Sequence, residues 1–424
     1  MTKDSAAVEI AAGDNSTAAY DVDRIRGDFP ILRQEVYGKP LVYLDNGASS
    51  QRPKAVLDAM SEAYETYYSN VHRGVHWTSQ RSTEAFEAGR EKARAFLNAA
   101  SENEVVFTRG TTEALNLVAA SWGRKNLKAG DAVVISHMEH HSNIVPWQLL
   151  RAELGIELRV VPIDDDGNFL LDAYARLLED GKVRMVSVTH VSNALGTVLP
   201  LADIVRLAHG KGALVMIDGA QAVPHIAIDV QAMDVDFYAF SSHKLYGPTG
   251  IGVLWGREGL LNDMPPYQGG GEMISSVTFE KTTFKKAPHR FEAGTPAIVE
   301  AIGLGAALDY VGAVGLDNIA AHEHGVLQYA TERLEKVEGL RIFGRAKEKA
   351  TIISFLLDGI HAHDLGTFVD RAGVAVRVGH HCAQPVMERF GVAATARASF
   401  GLYNTRHEVD VLVDALEDAN EFFG

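Results

Sequence analysis

Two segments of the chain carry an acid and a base at the ends of apolar runs. VMIDGAQ (215–221) contains Asp218, and FSSHKLYGPTG (240–250) contains Lys244. Each segment begins as an apolar strand and ends in polar residues, so both side chains are predicted at strand ends. A carboxylate and an amine placed this way usually form an ordinary ion pair. They are also the two groups that the cofactor pyridoxal phosphate requires, a lysine for its aldehyde and an aspartate for its ring nitrogen.

A third segment, RGTTEALN (109–116), suits a phosphate. It places a glycine and two threonines, Thr111 and Thr112, between a strand and a helix. Free N–H groups and the positive end of the helix dipole favour a phosphate at such a point. A threonine helix cap is the alternative, and this segment alone favours it. The segment SSH (241–243) offers further hydroxyl and imidazole donors, so three segments indicate the same ligand.

Cys382, in VRVGHHCAQP (376–385), is the only cysteine of the chain. A lone free cysteine is most often a buried apolar residue. A reactive cysteine needs thiolate character, which the two preceding imidazoles and Arg377 favour. A single cysteine excludes an internal disulfide and a multi-cysteine zinc site, and it fits a reducing compartment.

Two histidine-rich segments raise the question of a metal site. HMEHH (137–141) lacks the H-E-x-x-H spacing that puts two ligands and a base on one helical face, and HAHD (361–364) equally suits a solvated turn. No metal site is therefore expected. The sequence also contains neither G-x-G-x-x-G nor G-x-x-x-x-G-K-[ST], so dinucleotide and P-loop sites lack their motifs.

Composition and charge narrow the class of protein. The chain has 424 residues, 46% of them apolar, and a formal net charge of −15, which argues against nucleic acid or an anionic membrane surface as the main partner. Residues 1–20 lack the unbroken apolar core of a signal peptide and are expected to form a flexible tail. The apolar stretch 297–316 is interrupted by Glu300 and Asp309, which indicates a buried or amphipathic helix. A cytoplasmic protein is expected.

The elements that position these residues follow from the alternation of short apolar runs with helix-length stretches. The runs lie at 104–107, 132–136, 158–163, 183–190, 213–218, 235–241 and 250–255. Near-continuous apolar strands separated by helices predict an α/β fold with a mostly parallel sheet covered on both faces.

The alternation of apolar runs and helix-length stretches ends after residue 260. A turn-rich segment (261–296) precedes a helical region for which Gly339 is a plausible cap, two strand-like runs (351–357 and 374–378) and a closing helix. We expect a tail at 1–20, a large domain at 21–300 whose N-terminal segment packs on the small domain, and a smaller α+β domain at 301–424.

Taken together, five segments resemble a known family. VMIDGAQ, SSHKLYGPTG, RFEAGTP, RVGHHCAQP and RASFGLYNT resemble the SUF-type (group II) cysteine desulfurases, which belong to the class V, fold-type I pyridoxal-phosphate transferases. The resemblance runs from about YLDNGASSQRP (43–53) to RASFGLYNT (397–405). DGAQ and SSHK are typical of the wider superfamily, whereas RVGHHCA is typical of this group.

The resemblance implies a role for each matching residue around pyridoxal 5'-phosphate. Lys244 would form an aldimine with the cofactor, and Asp218 would face its pyridine nitrogen. Gln221 would hydrogen-bond the phenolic oxygen, and His141 would stack on the ring and count, with Lys244 and Cys382, among the catalytic residues. The residues implied for the phosphate are Thr111, Thr112, Ser241, His243 and, from the neighbouring subunit, Thr295. The residues implied for the substrate carboxylate are Asn193 and Arg397.

The resemblance also implies the reaction and the partners. L-Cysteine would become L-alanine, with its sulfur held as a persulfide on Cys382. The enzyme would be a homodimer with shared active sites and would pass sulfur to an acceptor or scaffold protein of iron–sulfur cluster assembly. A selenocysteine lyase side activity is compatible with these residues. A class V aminotransferase is the main alternative, because it would use Lys244, Asp218 and Arg397 but has no use for Cys382. A non-catalytic pyridoxal-phosphate-binding regulator is disfavoured, because no basic DNA-binding segment is present.

Overall fold

The structure, a computed structural model, describes residues 20–424. The tail predicted at 1–20 lies outside the described residues except for Tyr20. Within the described range, fourteen α-helices form: α1 (Val22–Gly27), α2 (Lys54–Glu62), α3 (Trp77–Phe96), α4 (Thr111–Val118), α5 (Arg124–Asn126), α6 (Val145–Leu154), α7 (Leu171–Leu177), α8 (Leu201–His209), α9 (Glu258–Asp263), α10 (Ile298–Val314), α11 (Leu316–Leu334), α12 (Ala362–Arg371), α13 (Gln384–Phe390) and α14 (Arg406–Phe423).

The same residues form seventeen strands: β1 (Glu35–Val36), β2 (Lys39–Pro40), β3 (Val42–Tyr43), β4 (Val105–Thr108), β5 (Ala132–Ser136), β6 (Glu157–Val161), β7 (Val183–Thr189), β8 (Leu214–Asp218), β9 (Phe237–Ser241), β10 (Gly252–Gly256), β11 (Ile274–Val277), β12 (Thr282–Phe284), β13 (Leu340–Phe343), β14 (Ile352–Leu357), β15 (Val374–Ala375), β16 (Arg377–Gly379) and β17 (Thr395–Ser399).

The large sheet contains seven strands in the order β4-β10-β9-β8-β7-β5-β6. β10 is antiparallel to both of its neighbours, and the other neighbouring strands are parallel. Alternate residues of β5 enter two different apolar clusters, Ala132 and Val134 one of them and Val133 and Ile135 the other. Both faces of the sheet are therefore covered, which explains why its strands are near-continuous apolar runs. The predicted α/β class is confirmed.

A second sheet, antiparallel throughout, has the order β13-β14-β17-β16. The apolar side chains of α14 pack with β14 in a separate cluster that includes Val409, Leu412, Ile353 and Phe355. The N-terminal segment reaches this part of the chain, because β3 pairs in parallel with β15. The division of the chain at residue 300 stays a prediction.

Two local predictions in this region are wrong. The run 374–378 is not one strand, because β15 pairs with β3 whereas β16 pairs with β17. Residue types that favour strands do not specify the partner strand, so one apolar run serves two sheets. Gly339 does not cap the preceding helix, because α11 ends at Leu334. Gly339 instead has a φ of +71° just before β13, in a left-handed conformation that favours glycine.

The turn-rich segment 261–296 contains the hairpin β11–β12, whose tip carries the fully exposed Phe279. The apolar stretch predicted to be a helix is α10, which is largely buried. No single helix among residues 20–424 has the length and hydropathy to cross a bilayer; α10 and α11 meet that test only as a pair bent by 74°.

The parallel strands bring polar residues to one edge of the large sheet. β7 ends at Thr189, β8 at Asp218 and β9 at Ser241. Since the carboxyl ends of neighbouring parallel strands meet at the same edge, ligands of such sheets bind there.

Candidate active site

A cavity of 280 Å³ opens at this edge of the large sheet. It collects the predicted site residues with the exception of His141 and Thr295. Those that line it are Thr111, Thr112, Asn193, Asp218, Gln221, Ser241, His243, Lys244, Cys382 and Arg397. The residues come from both sheets and from the loops between them, so the tertiary structure brings together segments that are far apart in sequence.

Lys244 and Asp218 form the buried centre of the cavity. Lys244 lies in a short 3-10 turn after β9, and burial lowers its pKa to about 8 although Asp218 opposes this shift. Burial raises the pKa of Asp218, while the N–H of Ala220 and the charge of Lys244 oppose that rise. No salt bridge joins Lys244 to Asp218 within residues 20–424. The alternative of an ordinary ion pair is therefore not what this geometry shows.

The residues predicted to hold a phosphate surround the start of α4. The N-cap of this helix is Gly110, which provides no side-chain cap. The alternative of a threonine cap is therefore wrong, and Thr111 instead donates its N–H to Ser241 Oγ at 2.9 Å. A Cβ built on Gly110 would lie 3.1 Å from Ser241 Oγ, so the backbone approaches the strand end closely here. His243 also lines the cavity, and burial lowers its pKa to about 4.

His140 lines the cavity and His141 does not, although the residue predicted from the sequence was His141. The N–H and the hydroxyl of Ser142 both donate to His140 Nδ1, at 3.1 and 2.8 Å. This turn fixes the orientation of the His140 ring. Since the Ser142 N–H can only donate, His140 Nδ1 is the acceptor, and neutral His140 carries its proton on Nε2. Burial, with a contribution from Lys244, lowers the pKa of His140 to about 3. His140 therefore faces the cavity as a neutral side chain.

Arg397, on β17, contributes a buried guanidinium to the lining of the cavity. Its Nη1 donates to the Asn193 carbonyl at 2.8 Å, and its Nη2 lies 3.4 Å from Asp45 Oδ1. Burial lowers the pKa of Arg397 to about 10, and Asp45 opposes that shift. Two atoms here, Arg397 Nε and Asn193 Oδ1, are buried without a hydrogen-bond partner. Buried polar atoms of this kind are expected to be satisfied by a bound molecule.

The carboxylate of Asp45 is a site feature that sequence reasoning missed. Its Oδ2 lies 2.8 Å from Arg377 Nη2, so one carboxylate pairs with the guanidinium groups of both Arg377 and Arg397. Arg377 was expected to favour the Cys382 thiolate, and the structure gives it Asp45 as its ion-pair partner. The available signal was the position of Asp45 after the apolar run LVYL (41–44), which parallels that of Asp218.

Cys382 is exposed at the mouth of the cavity and not buried in the core. It follows His381, and both residues have left-handed backbones, with φ of +54° and +52°. For residues other than glycine this conformation costs roughly 1–2 kcal/mol each. The thiol is close enough to Lys244 and Arg397 to act on the pKa of both groups.

Thr295 lies in a second cavity, of 290 Å³, at the end of the segment 261–296. Within one chain it does not line the cavity that contains Lys244. Gln221 does line that cavity, and its Nε2 donates to the Gly47 carbonyl at 2.7 Å. Nothing in HMEHH or HAHD assembles a metal site, since no group of three His, Cys, Asp or Glu side chains in the described chain is placed to hold an ion.

The polar groups of the cavity that contains Lys244 fit pyridoxal phosphate. A buried amine with a lowered pKa suits the aldehyde, a buried carboxylate suits the pyridine nitrogen, and the start of α4 suits the phosphate. Arg397 Nε, a donor, and Asn193 Oδ1, an acceptor, have no hydrogen-bond partner and are available to a substrate beside the cofactor.

Comparison with known proteins assigns the family. The model of the family described as aminotransferase class-V matches residues 42–412. A cysteine desulfurase of Synechococcus elongatus is 52% identical over 98% of this chain, which spans 66% of that protein's length. A cysteine desulfurase of Escherichia coli is 53% identical over 96% of this chain and 100% of its own length.

Two solved structures are also similar. The crystal structure of the cysteine desulfurase CsdA (S-sulfonic acid) from Escherichia coli has a TM-score of 0.89 and 38% identity, covering 96% of this chain and 100% of that one. The apo structure of cysteine desulfurase from Thermococcus onnurineus NA1 has a TM-score of 0.90 and 38% identity, covering 94% and 98%. By these matches in sequence and fold, the chain belongs to the class V aminotransferase family, whose cofactor is pyridoxal phosphate.

Proposed function

We propose that the protein is a cysteine desulfurase that converts L-cysteine to L-alanine and retains the sulfur as a persulfide on Cys382. The observation that carries the proposal is the position of the only cysteine, exposed at the mouth of the cavity that contains Lys244, Asp218 and Arg397. The names of the similar proteins support the same activity. A class V aminotransferase would need the amine, the carboxylate and the guanidinium but no thiol.

The cofactor would be held by side chains of the large sheet. Lys244 would attach its aldehyde, Asp218 would pair with its pyridine nitrogen and Gln221 would contact its phenolic oxygen. His140 takes the ring-facing position in the proposal, because His140 lines the cavity whereas His141 does not. The phosphate would be held by Thr111, Thr112, Ser241 and His243. When bound, pyridoxal phosphate supplies an electron sink for charge that develops on the substrate's α-carbon.

The substrate carboxylate would bind to Arg397 and to the side-chain amide of Asn193. A guanidinium suits a carboxylate because its fork of donors matches the two oxygens. Arg397 is already oriented by the Asn193 carbonyl and Asp45, so little of its conformational freedom remains to be lost on binding. This binding would direct the substrate's sulfur toward Cys382.

Lys244 would move the protons of the reaction, because a pKa of about 8 lets its amine accept and return a proton near neutral pH. The Cys382 thiolate would attack the substrate sulfur. A bond forms between the two sulfur atoms, the bond from the substrate Cβ to sulfur breaks, and a proton is taken up at Cβ. The sum is cysteine plus thiolate giving alanine plus persulfide, with no external oxidant or reductant.

The test is to incubate the purified holoenzyme with L-cysteine and follow alanine, persulfide and the visible cofactor spectrum. We expect a spectral change and alanine formation, with one persulfide sulfur per chain before turnover. A parallel incubation with an amino acid and a 2-oxo acid tests the aminotransferase alternative. Transamination in the absence of alanine release from cysteine would contradict the desulfurase. Selenocysteine as substrate tests the lyase side activity.

The finer assignment to the SUF-type group, and with it a homodimer, also belongs to this proposal. RVGHHCA supports the group assignment. Thr295 lies outside the Lys244 cavity of its own chain, which supports its proposed use in the neighbouring subunit's phosphate site. Sedimentation at assay concentrations is expected to give a dimer, and a fully active monomer would contradict shared sites.

The persulfide would be collected by a small sulfur-acceptor or scaffold protein that feeds iron–sulfur cluster assembly, because free thiols would release sulfide. Candidate acceptors are expected to bind persulfidated enzyme, gain its sulfur and raise turnover. A catalytic thiol that must stay reduced fits the cytoplasm as the compartment. Acceptors that neither bind nor gain sulfur would contradict the pathway.

A further inference from the structure

The proposed chemistry gives a role to only one residue of the segment HMEHH, His140, which lines the cavity. The other two histidines contact the segment that carries Cys382. We call residues 379–385 the cysteine loop. His141 contacts it twice: its backbone N–H donates to the Cys382 carbonyl at 2.7 Å, and its ring Nε2 accepts the Gln384 N–H at 3.1 Å.

His137 makes a third contact with the cysteine loop. Its Nε2 lies 3.1 Å from the Pro385 carbonyl and is the donor, since a carbonyl oxygen only accepts. The two rings therefore have opposite tautomers when neutral. His137 carries its proton on Nε2, whereas His141 carries its proton on Nδ1 and offers a lone pair at Nε2.

The cysteine loop needs such external contacts. His381 and Cys382 are consecutive left-handed residues and neither is glycine, so the local backbone does not favour this conformation. Internally the loop is closed by the Ala383 N–H, which donates to the His380 carbonyl at 2.8 Å. Contacts from outside the loop come from His137, His141 and Asn193, and His381 Nε2 lies 2.8 Å from Thr395 Oγ1 on β17. The position of the thiol thus depends on contacts from outside the loop.

We propose that His141 is a positioning residue that holds the cysteine loop in the geometry in which Cys382 accepts sulfur, and that its ring Nε2 does so by accepting the Gln384 N–H. The inference rests on the proposed desulfurase activity. His141 takes no part in cofactor or substrate binding, because its ring lies outside the cavity beside His380. Its loss should affect the sulfur-transfer step and leave earlier binding steps in place.

The experiment compares two variants of the holoenzyme. His141→Phe keeps a ring but removes the acceptor, whereas His141→Gln offers an amide oxygen near the position of Nε2. The matched control is His361→Phe, because His361 Nδ1 also accepts a backbone N–H, from His363, at an exposed helix start, and His361 does not line the cavity. The readouts are hydrogen exchange of the Gln384 amide, kcat and KM for alanine formation, and the cofactor absorbance.

For His141→Phe we expect about tenfold faster exchange at Gln384 and about tenfold lower kcat, the effect of one lost hydrogen bond, with KM and absorbance nearly unchanged. His141→Gln should restore both quantities, and His361→Phe should alter neither. Wild-type exchange and kcat in His141→Phe would overturn the proposal, as would a Gln variant that behaves like Phe or a loss of cofactor absorbance. If the wild-type enzyme makes no alanine from cysteine, the proposed function fails, and the exchange comparison still decides whether His141 holds the loop.

Discussion

The side-chain amide of Asn193 donates to the backbone carbonyl of His381 at 2.6 Å. His381 directly precedes Cys382, so a group proposed to bind the substrate carboxylate also holds the residue next to the sulfur acceptor. The amide has a second N–H that this bond does not use. The proposed substrate binding and the position of the cysteine loop therefore depend on the same side chain.

We expect Asn193→Asp to weaken both functions. A carboxylate cannot donate to the His381 carbonyl, and its charge opposes the substrate carboxylate. A buried acceptor left unsatisfied costs about 1–3 kcal/mol, so KM should rise and kcat should fall, each by about tenfold or more. Steady-state alanine formation measures both. The control is Asn420→Asp, since Asn420 also donates to a backbone carbonyl, that of Glu338, at an exposed position; equal effects of the two variants would contradict the link.

Covalent uptake of the cofactor should depend on pH through Lys244. A neutral amine is the form that reacts with an aldehyde, and burial lowers the pKa of Lys244 to about 8. The rate of pyridoxal-phosphate incorporation into protein stripped of cofactor should therefore rise with pH and level off above about pH 8. Absorbance and borohydride trapping measure the rate, and Lys244→Ala should trap no cofactor at this site. A rate that still climbs steeply between about pH 9 and 10 would match an ordinary lysine and contradict this prediction.

Asp218→Asn should lower turnover by orders of magnitude with the cofactor at least partly bound. The substitution nearly preserves shape but removes the charge that would keep the pyridine nitrogen protonated. The same change removes a charge that raises the pKa of Lys244, so the pH midpoint of cofactor incorporation should move lower. Alanine formation and the incorporation profile test the two effects separately. Wild-type turnover in this variant would assign the carboxylate another role.

Cys382→Ala should abolish alanine formation while folding and cofactor binding persist. The thiol is exposed, so its loss should change the free energy of unfolding by less than about 0.5 kcal/mol. No other thiol exists in the chain to receive sulfur. Thermal unfolding, the cofactor spectrum after addition of cysteine and alanine release should be measured together. Alanine formed at the wild-type rate would show that Cys382 is not the acceptor.

Much of the fold could be predicted from the sequence, because apolar runs bounded by polar residues mark buried strands and their ends. The run 132–136 is β5 over the same residues, and the runs before Asp218 and Ser241 are β8 and β9 with the polar residue at the carboxyl end. The pairing of strands could not be predicted. The run 374–378 divides between two sheets, and β17, which carries Arg397, was not predicted, since pairing depends on contacts distant in sequence.

The sequence by itself determined which chemical groups exist and which of them follow buried strands: one thiol, a lysine and an aspartate at strand ends, and hydroxyls at the start of a helix. Only the tertiary structure decided how adjacent residues divide their roles. His140 and His141 are neighbours of the same type, yet Ser142 holds the first ring in the cavity and Gln384, 243 residues away, holds the second against the cysteine loop. Hydrogen bonds to partners fixed by the fold set the direction of each side chain, and residue type alone does not contain that information.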